Sequence, residues 1–281
     1  MKLLITLLVF FTFSGTFIAQ NLSIQQKLSK SIRKGDLQIA RELLQEYEPK
    51  KEATTSELIS YFFLNGEYQH TNGDLEAAFD SWATARKHIS HLKESQNGYL
   101  VQYHNYLCTY YYELRNPHTI QIHVDSALQL TVEMNTIELV SSKAYLTWIN
   151  QALAIKITRK EDMVKSYEEN YEDVQKLMIK SINFQLENNC NKHDIARSYH
   201  RLANIYTDLF HFKFKLAGGD KSEEYKLLAR INYDHAIALW TELYGNVHHE
   251  RARSLYVKAF MNFFIEIDYK SIPIYEEAYK A

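Results

Sequence analysis

Eight glycines and three prolines are all that this 281-residue chain contains, and that scarcity limits its fold more than any other feature. Average usage is roughly 7 % Gly and 5 % Pro. A β-sandwich, barrel or propeller needs a turn rich in Gly, Pro or Asn about every 8–12 residues. This chain cannot supply them. Apolar residues recur at spacings of three and four rather than alternating, the periodicity of a helix with one buried face. With 21 Tyr and 14 Phe, the chain is also too aromatic to stay disordered. Its length leaves room for a sizeable core in one or two domains. The fold class expected is all-α.

Charge narrows the partners. There are 32 basic and 34 acidic residues, a net −2, and loss of Lys2 would take it to −3. Binding nucleic acid through counterion release needs a basic face, so nucleic acid is not expected as the main partner. Residues 1–20 have the three parts of a secretory signal: Lys2, the apolar run Leu3 to Phe13, and Ala19 at the cleavage position. Phe17 stands at −3, where a small residue is usual. The short Phe-rich segment ending in Ala-Gln resembles signals of the Bacteroidetes group. A periplasmic or extracellular location is expected, or attachment to a membrane by the uncleaved segment; once cleaved, the mature chain has no span. Cys108 and Cys190 are the only cysteines and lie 82 residues apart, which reads as two small thiols in helical cores rather than a disulfide.

Internal repetition organises residues 21–281. The clearest unit is 56–92. Its first helix carries Leu58, Phe62, Gly66 and Gln69, the turn is Asn72-Gly73-Asp74, and the second helix carries Ala78, Trp82 and Ala85. Measured from Gly66, Gly73 lies at +7, Ala78 at +12, Trp82 at +16 and Ala85 at +19. These offsets resemble the tetratricopeptide repeat (TPR), a helix–turn–helix unit of about 34 residues. Gly66 and Ala78 are read as the small residues where the paired helices touch, and Trp82 as a filler of the groove toward the next repeat. Weaker copies flank it. One has Ile24 to Ile32, the turn Gly35-Asp36, then Leu37 to Leu44. The other has Tyr99 to Leu114, Arg115-Asn116-Pro117, then Ile120 to Leu130. Ile137 to Ile157 and Met163 to Leu186 read as a degenerate pair of long helices within 137–190, joined by Thr158 to Asp162.

The segment 194–281 is more specific. Asp194-Ile195-Ala196-Arg197-Ser198 and Glu250-Arg251-Ala252-Arg253-Ser254 are two copies of one phrase. The second follows Tyr244-Gly245-Asn246-Val247-His248, which resembles the junction of kinesin-light-chain-type TPRs. Ala196 and Ala252 lie 56 residues apart, longer than that subtype, and the surplus is assigned to Phe210–Lys226 as helix extensions around an exposed loop. The resemblance implies a TPR-like α-solenoid of about 5–6 repeats. The chain stops without a polar capping helix, so it is expected to be the first part of a longer protein.

No motif carries chemistry. Gly218-Gly219-Asp220-Lys221-Ser222 lacks the spacing of a phosphate loop. His249-Glu250 fails as a zinc motif because Arg253 replaces the second His. His88 and His91 lack a third ligand. Neither a cofactor, a metal nor catalysis is expected. The Tyr stripe 99, 103, 106, 110 and the stripe Leu100, Leu107, Tyr111, Leu114 read as a helix buried on both sides. The TPR resemblance implies a concave groove lined by each first helix. Taking Gly66, Cys108 and Ala203 as equivalent gives Ser60, Phe63, Glu67 and His70; Gln102, Asn105, Thr109 and Tyr112; and Arg197, His200, Asn204 and Thr207. The partner-binding set is therefore Asn105, Thr109, Tyr112, Arg197, His200, Arg201 and Asn204, with Arg197, Arg201 and Asn204 suited to a carboxylate or backbone amides. The partner expected is a protein or peptide. The alternative is that this is the sensory half of a larger effector, such as a CHAT (caspase-like) peptidase or a TPR-containing sensor kinase.

Overall fold

Helix starts follow local capping chemistry in this computed structural model, which describes residues 24–92, 96–161, 167–216, 221–266 and 272–280. Thr54 and Glu57 form a reciprocal capping box at the start of one helix, as do Asn135 and Glu138 at another. Asp74 and Asn116 cap two more through side-chain oxygens, and Pro117 occupies the first helical position after Asn116. The helices are α1 (24–34), α2 (Leu37–Glu46), α3 (Thr55–Thr71), α4 (Leu75–Ile89), α5 (Gln96–Glu113), α6 (Pro117–Thr131) and α7 (Thr136–Ser141). They continue with α8 (Tyr145–Glu161), α9 (Tyr167–Glu187), α10 (Lys192–Leu216), α11 (Lys221–Tyr244), α12 (His249–Glu266) and α13 (Ile272–Lys280). No strand occurs among the described residues. The all-α reading holds, and the elements form antiparallel helix pairs of a TPR-like solenoid. They divide into two compact units, Met1–Gln96 and Asn97–Ala281. The proposed signal at 1–20 lies outside the described residues.

In the first unit, α1 and α2 bury Leu28, Ile32, Ala40 and Leu44, with Leu64 of α3 completing that core. The α3–α4 hairpin turns at Gly73, whose φ of 87° is the left-handed conformation that glycine adopts freely. Trp82 is 1 % exposed. It lies flat on Gly66 of its own hairpin: a Cβ added there would stand 2.1 Å from Nε1 of the indole. The ring's N–H donates to the Phe63 carbonyl at 3.4 Å, so the missing side chain at Gly66 makes room for the largest residue of the unit.

In the second unit, α10 and α11 run antiparallel along much of their lengths. The ring pairs His193–Trp240, His200–Tyr233 and Tyr206–Tyr225 step down α11 as they step up α10. The 56-residue spacing is taken up by these long helices, and only 217–220 between them lie outside the described residues. Phe210 and Lys226, expected in the helix extensions on either side of the loop, lie in α10 and α11 and are buried. The Tyr-Gly-x-x-His junction is an aromatic bracket. His248 stacks on Tyr244 at 4.2 Å, Tyr244 hydrogen-bonds His193 at 2.8 Å, and Trp240 lies among all three. Arg251 ties the bracket together through Thr241 Oγ1, the Asn246 carbonyl and Glu277.

Three further expectations change. Ile137–Ile157 is not one helix: α7 ends at Ser141 and α8 begins at Tyr145, with Lys143 at φ 53° between them. The break is held from α5, where Gln102 donates to the Ser141 carbonyl at 3.2 Å and Asn105 to the Lys143 carbonyl at 3.4 Å. Thr158 to Glu161, read as a linker, continue α8. The buried residues of α5 are Val101, Asn105, Leu107 and Cys108, so its Tyr stripe is only half-buried and Leu114 is 51 % exposed. Cys108 and Cys190 are buried free thiols, and burial pushes the Cys108 thiol up to about 12.

Candidate functional site

Helix α10 presents Asp194, Arg197, Arg201 and Asn204 at spacings of three, four and three, which places them on one face. The facing helix α12 contributes Glu250, Arg253 and Ser254. Asp194 is fixed from behind: its carboxylate accepts from the Tyr145 hydroxyl at 2.8 Å, and Ser181 donates to the Tyr145 carbonyl at 2.9 Å. His200, 6 % exposed, links α10 to α12. Ser254 donates its hydroxyl proton to the Glu250 carbonyl at 2.9 Å and sits 2.8 Å from Nδ1 of His200. The hydroxyl has one proton, so it is the acceptor of the Nδ1–H of a neutral imidazole. The Nε2 lone pair is then left buried and without a partner.

Electrostatics agree that the ring is neutral. Burial pushes His200 down to about 4; Glu250 opposes this, while Arg253, Arg201 and Arg197 add to it. His200 is therefore uncharged at neutral pH. Arg201 is pushed down to about 10, first by burial and then by Arg197, with Tyr112, Glu250 and Asp194 acting the other way. Burial alone would raise the Glu250 carboxyl, but Arg197, His200, His249 and Arg253 together hold it below the usual carboxylate range. Among the described residues, the guanidiniums of Arg197, Arg201 and Arg253 have no hydrogen-bond or ion-pair partner. The Asn204 Oδ1 accepts from the Tyr233 hydroxyl at 2.6 Å, which fixes the amide with its NH₂ unengaged.

The structure brings together four of the seven residues chosen from the sequence: Arg197, His200, Arg201 and Asn204. Tyr112, 37 % exposed on α5, lies close enough to bear on Arg201. Asn105 is buried, and its amide is engaged with Asn150 at 2.9 Å, Thr147 at 3.2 Å and the Lys143 carbonyl. It braces α5 against α8 and offers nothing to a ligand. Thr109 donates to the carbonyl of Asn105 one turn earlier. Phe63 and Thr207, also placed on the groove by register, are buried. Sequence reasoning missed Glu250 and Arg253. The signal was present, because the repeated phrase sets Arg253 in the place of Arg197 and Glu250 in that of Asp194. No group of three metal-ligating side chains able to hold an ion occurs among the described residues. None of the described helices is long and apolar enough to cross a membrane.

No known family profile matches the chain, and no curated protein matches it. Solved structures do. A Rap protein complexed with competence and sporulation factor aligns with a TM-score of 0.60 at 12 % identity, covering 93 % of this chain and 76 % of that one. The Rap conjugation gene regulator of the plasmid pLS20, in complex with the Phr* peptide, aligns with a TM-score of 0.52 at 12 % identity, covering 92 % and 73 %. At that identity the likeness is one of fold, and the fold is that of TPR-like helical repeats.

Proposed function

We propose that the chain is a non-catalytic scaffold that binds a peptide or an extended protein segment along the face shared by α10 and α12. The observation that supports this most is a set of polar groups on one face with no partner in the fold: the half-buried guanidiniums of Arg197 and Arg201, the exposed one of Arg253 and the Asn204 amide. Donors collected on one partly buried face suit the carbonyls of a peptide backbone. One structure of the same fold, the Rap conjugation gene regulator named above, is in complex with a peptide, which agrees with this use of the fold. The test is selection of a randomised heptapeptide library on the purified full chain. Enrichment of any sequence by the wild type, lost on Asn204→Ala with Arg197→Ala, supports the reading; no enrichment overturns it.

The alternative of a regulatory half joined to a CHAT peptidase or sensor kinase rests on sequence resemblance alone, as does the likeness to kinesin light chains. Export is part of the proposal through residues 1–20. Cell fractionation is expected to find the chain outside the cytoplasm and shortened by about 20 residues, the size of a signal peptide. Full-length chain in the cytosol would overturn that part.

A further inference from the structure

The first helix of the chain has no part in the face described above, and its charge is one-sided. From Gln20 to Gly35 the sequence carries Lys27, Lys30, Arg33 and Lys34 and no acidic residue. We infer that the outward face of α1 docks on an anionic lipid surface, as a peripheral contact made by Lys27, Lys30 and Lys34.

The fold decides which way these side chains point. Ile24, Leu28 and Ile32 are buried against Ala40, Leu44, Tyr47 and Leu64. On the other side of the helix, Lys27, Lys30 and Lys34 follow one another at spacings of three and four, so they form one stripe. At 1.5 Å per residue that stripe is about 10 Å long, and all three lysines are exposed. Lys34 pairs with Asp36 at 3.0 Å. Lys27 and Lys30 have no ion-pair partner among the described residues, and Arg33 is half-buried and already engaged.

The same packing sets the mode of contact. An interfacial helix buries its apolar face among lipid chains, but the apolar face of α1 is committed to the protein core. Only the ammonium groups can meet the headgroups. The attraction is then electrostatic and is screened by salt.

Position in the chain and the chemistry of the stripe name the occupant. The apolar run Leu3 to Phe13 ends ten residues before α1 begins at Ile24. Ten extended residues reach at most about 35 Å, so a chain entering or leaving a bilayer through that run presents α1 beside the headgroups. Lysine is a compact point charge, suited to a diffuse anionic sheet that offers no matched fork. An acidic protein would want an apolar anchor in the contact, and α1 exposes no large apolar side chain. A nucleic-acid strand would want aromatic rings on which to stack its bases, and residues 24–34 contain none.

The test sediments the purified full chain with vesicles of phosphatidylcholine alone and with vesicles that also contain phosphatidylglycerol. The ratio of the two affinities is the readout, because an apolar segment still attached at residues 1–20 would bind both alike. Anionic vesicles are expected to bind about twentyfold more tightly, roughly fivefold for each of Lys27 and Lys30. The preference should vanish at roughly 1 M salt, where the Debye length is about 3 Å. Lys27→Gln with Lys30→Gln should bring the ratio near one, and Lys27→Arg with Lys30→Arg should keep it. Equal binding to both vesicles overturns the inference, as does a preference that survives salt or is unchanged in the Gln pair. A preference lost instead in Arg197→Ala with Arg201→Ala would move the lipid contact to α10 and overturn it too. A single-stranded oligonucleotide bound more tightly than the anionic vesicles, and released by the Gln pair, would assign α1 to nucleic acid. The library selection tests the peptide reading separately, so the two readings fail independently.

Discussion

The α3–α4 and α10–α11 hairpins use the same device in opposite surroundings. Each sets a fully buried tryptophan of the second helix on a small residue of the first: Trp82 on Gly66, and Trp240 against Ala196. Around Trp82 the indole N–H reaches the Phe63 carbonyl and Asn65 donates to Ser81 at 2.9 Å. Around α10 more groups are left open among the described residues. The Trp240 indole nitrogen and His200 Nε2 are buried without partners, and Arg197, Arg201 and Arg253 are unpaired. On the reading proposed above, the groups left open along α10 and α12 are those that meet a ligand, whereas the polar groups around Trp82 serve the hairpin itself.

Substitutions can break that contrast, and the largest effect belongs to the closed hairpin. Trp82→Ala should cost about 3–5 kcal/mol, the scale of removing a buried aromatic, read by urea unfolding of the full chain. A loss below about 1 kcal/mol, ordinary for a surface site, would show that the hairpin does not depend on the indole. Gly66→Ala tests the same contact from the other side. Its methyl would overlap the Trp82 ring, so about 1–3 kcal/mol of overpacking cost is expected, with loss of the native indole fluorescence environment. An unchanged midpoint would mean that the ring is free to shift.

The open hairpin is expected to answer to pH instead. His200 lies below its unfolded value in the folded state, so the unfolded chain binds more protons between pH 6.5 and about 4. Its contribution is complete above pH 6.5 and is lost as pH falls through that window, at no more than about 1.4 kcal/mol per pH unit. His123, also pushed down by burial, adds a slope of the same sign. Urea midpoints measured across pH 4 to 7 should therefore fall toward acid, and less steeply in His200→Gln. An identical slope in the variant would remove His200 from the account. The smallest effect is expected at the arginines. Arg197→Ala should leave stability within about 0.5 kcal/mol, because the guanidinium has no hydrogen-bond or ion-pair partner to lose and the relief of Arg201 offsets the charge withdrawn from Glu250. A clear destabilisation would mean that Arg197 serves the fold rather than a ligand.

Much of this architecture was legible in the chain because its causes are local. The lack of Gly and Pro excludes sheet folds. Helical periodicity survives in every segment, and caps such as Thr54, Asp74 and Asn116 act within four residues of themselves. The Gly66–Trp82 pair was visible as an offset, although not which way the ring would turn. What the sequence misjudged depends on other helices. Residues 137–157 look like one helix until Gln102 and Asn105 of α5 hold the break at Ser141–Lys143. Asn105 has the register of a groove residue, yet Asn150 and Thr147 of α8 draw its amide inward.

The site divides along the same line. The sequence alone determined an all-helical repeat chain, the Arg197/Arg201/Asn204 face of α10, and the phrase that repeats at Arg253, because spacing along one helix fixes which side chains share a face. Only the tertiary structure decided that α12 faces α10, so that residues about fifty positions apart meet at the 2.8 Å contact between His200 and Ser254. It also decided that His200 is neutral, Asp194 engaged and the three guanidiniums unpaired. Charge state and hydrogen-bond satisfaction depend on burial and on neighbours brought by packing, and neither is written in the spacing of one strand of sequence.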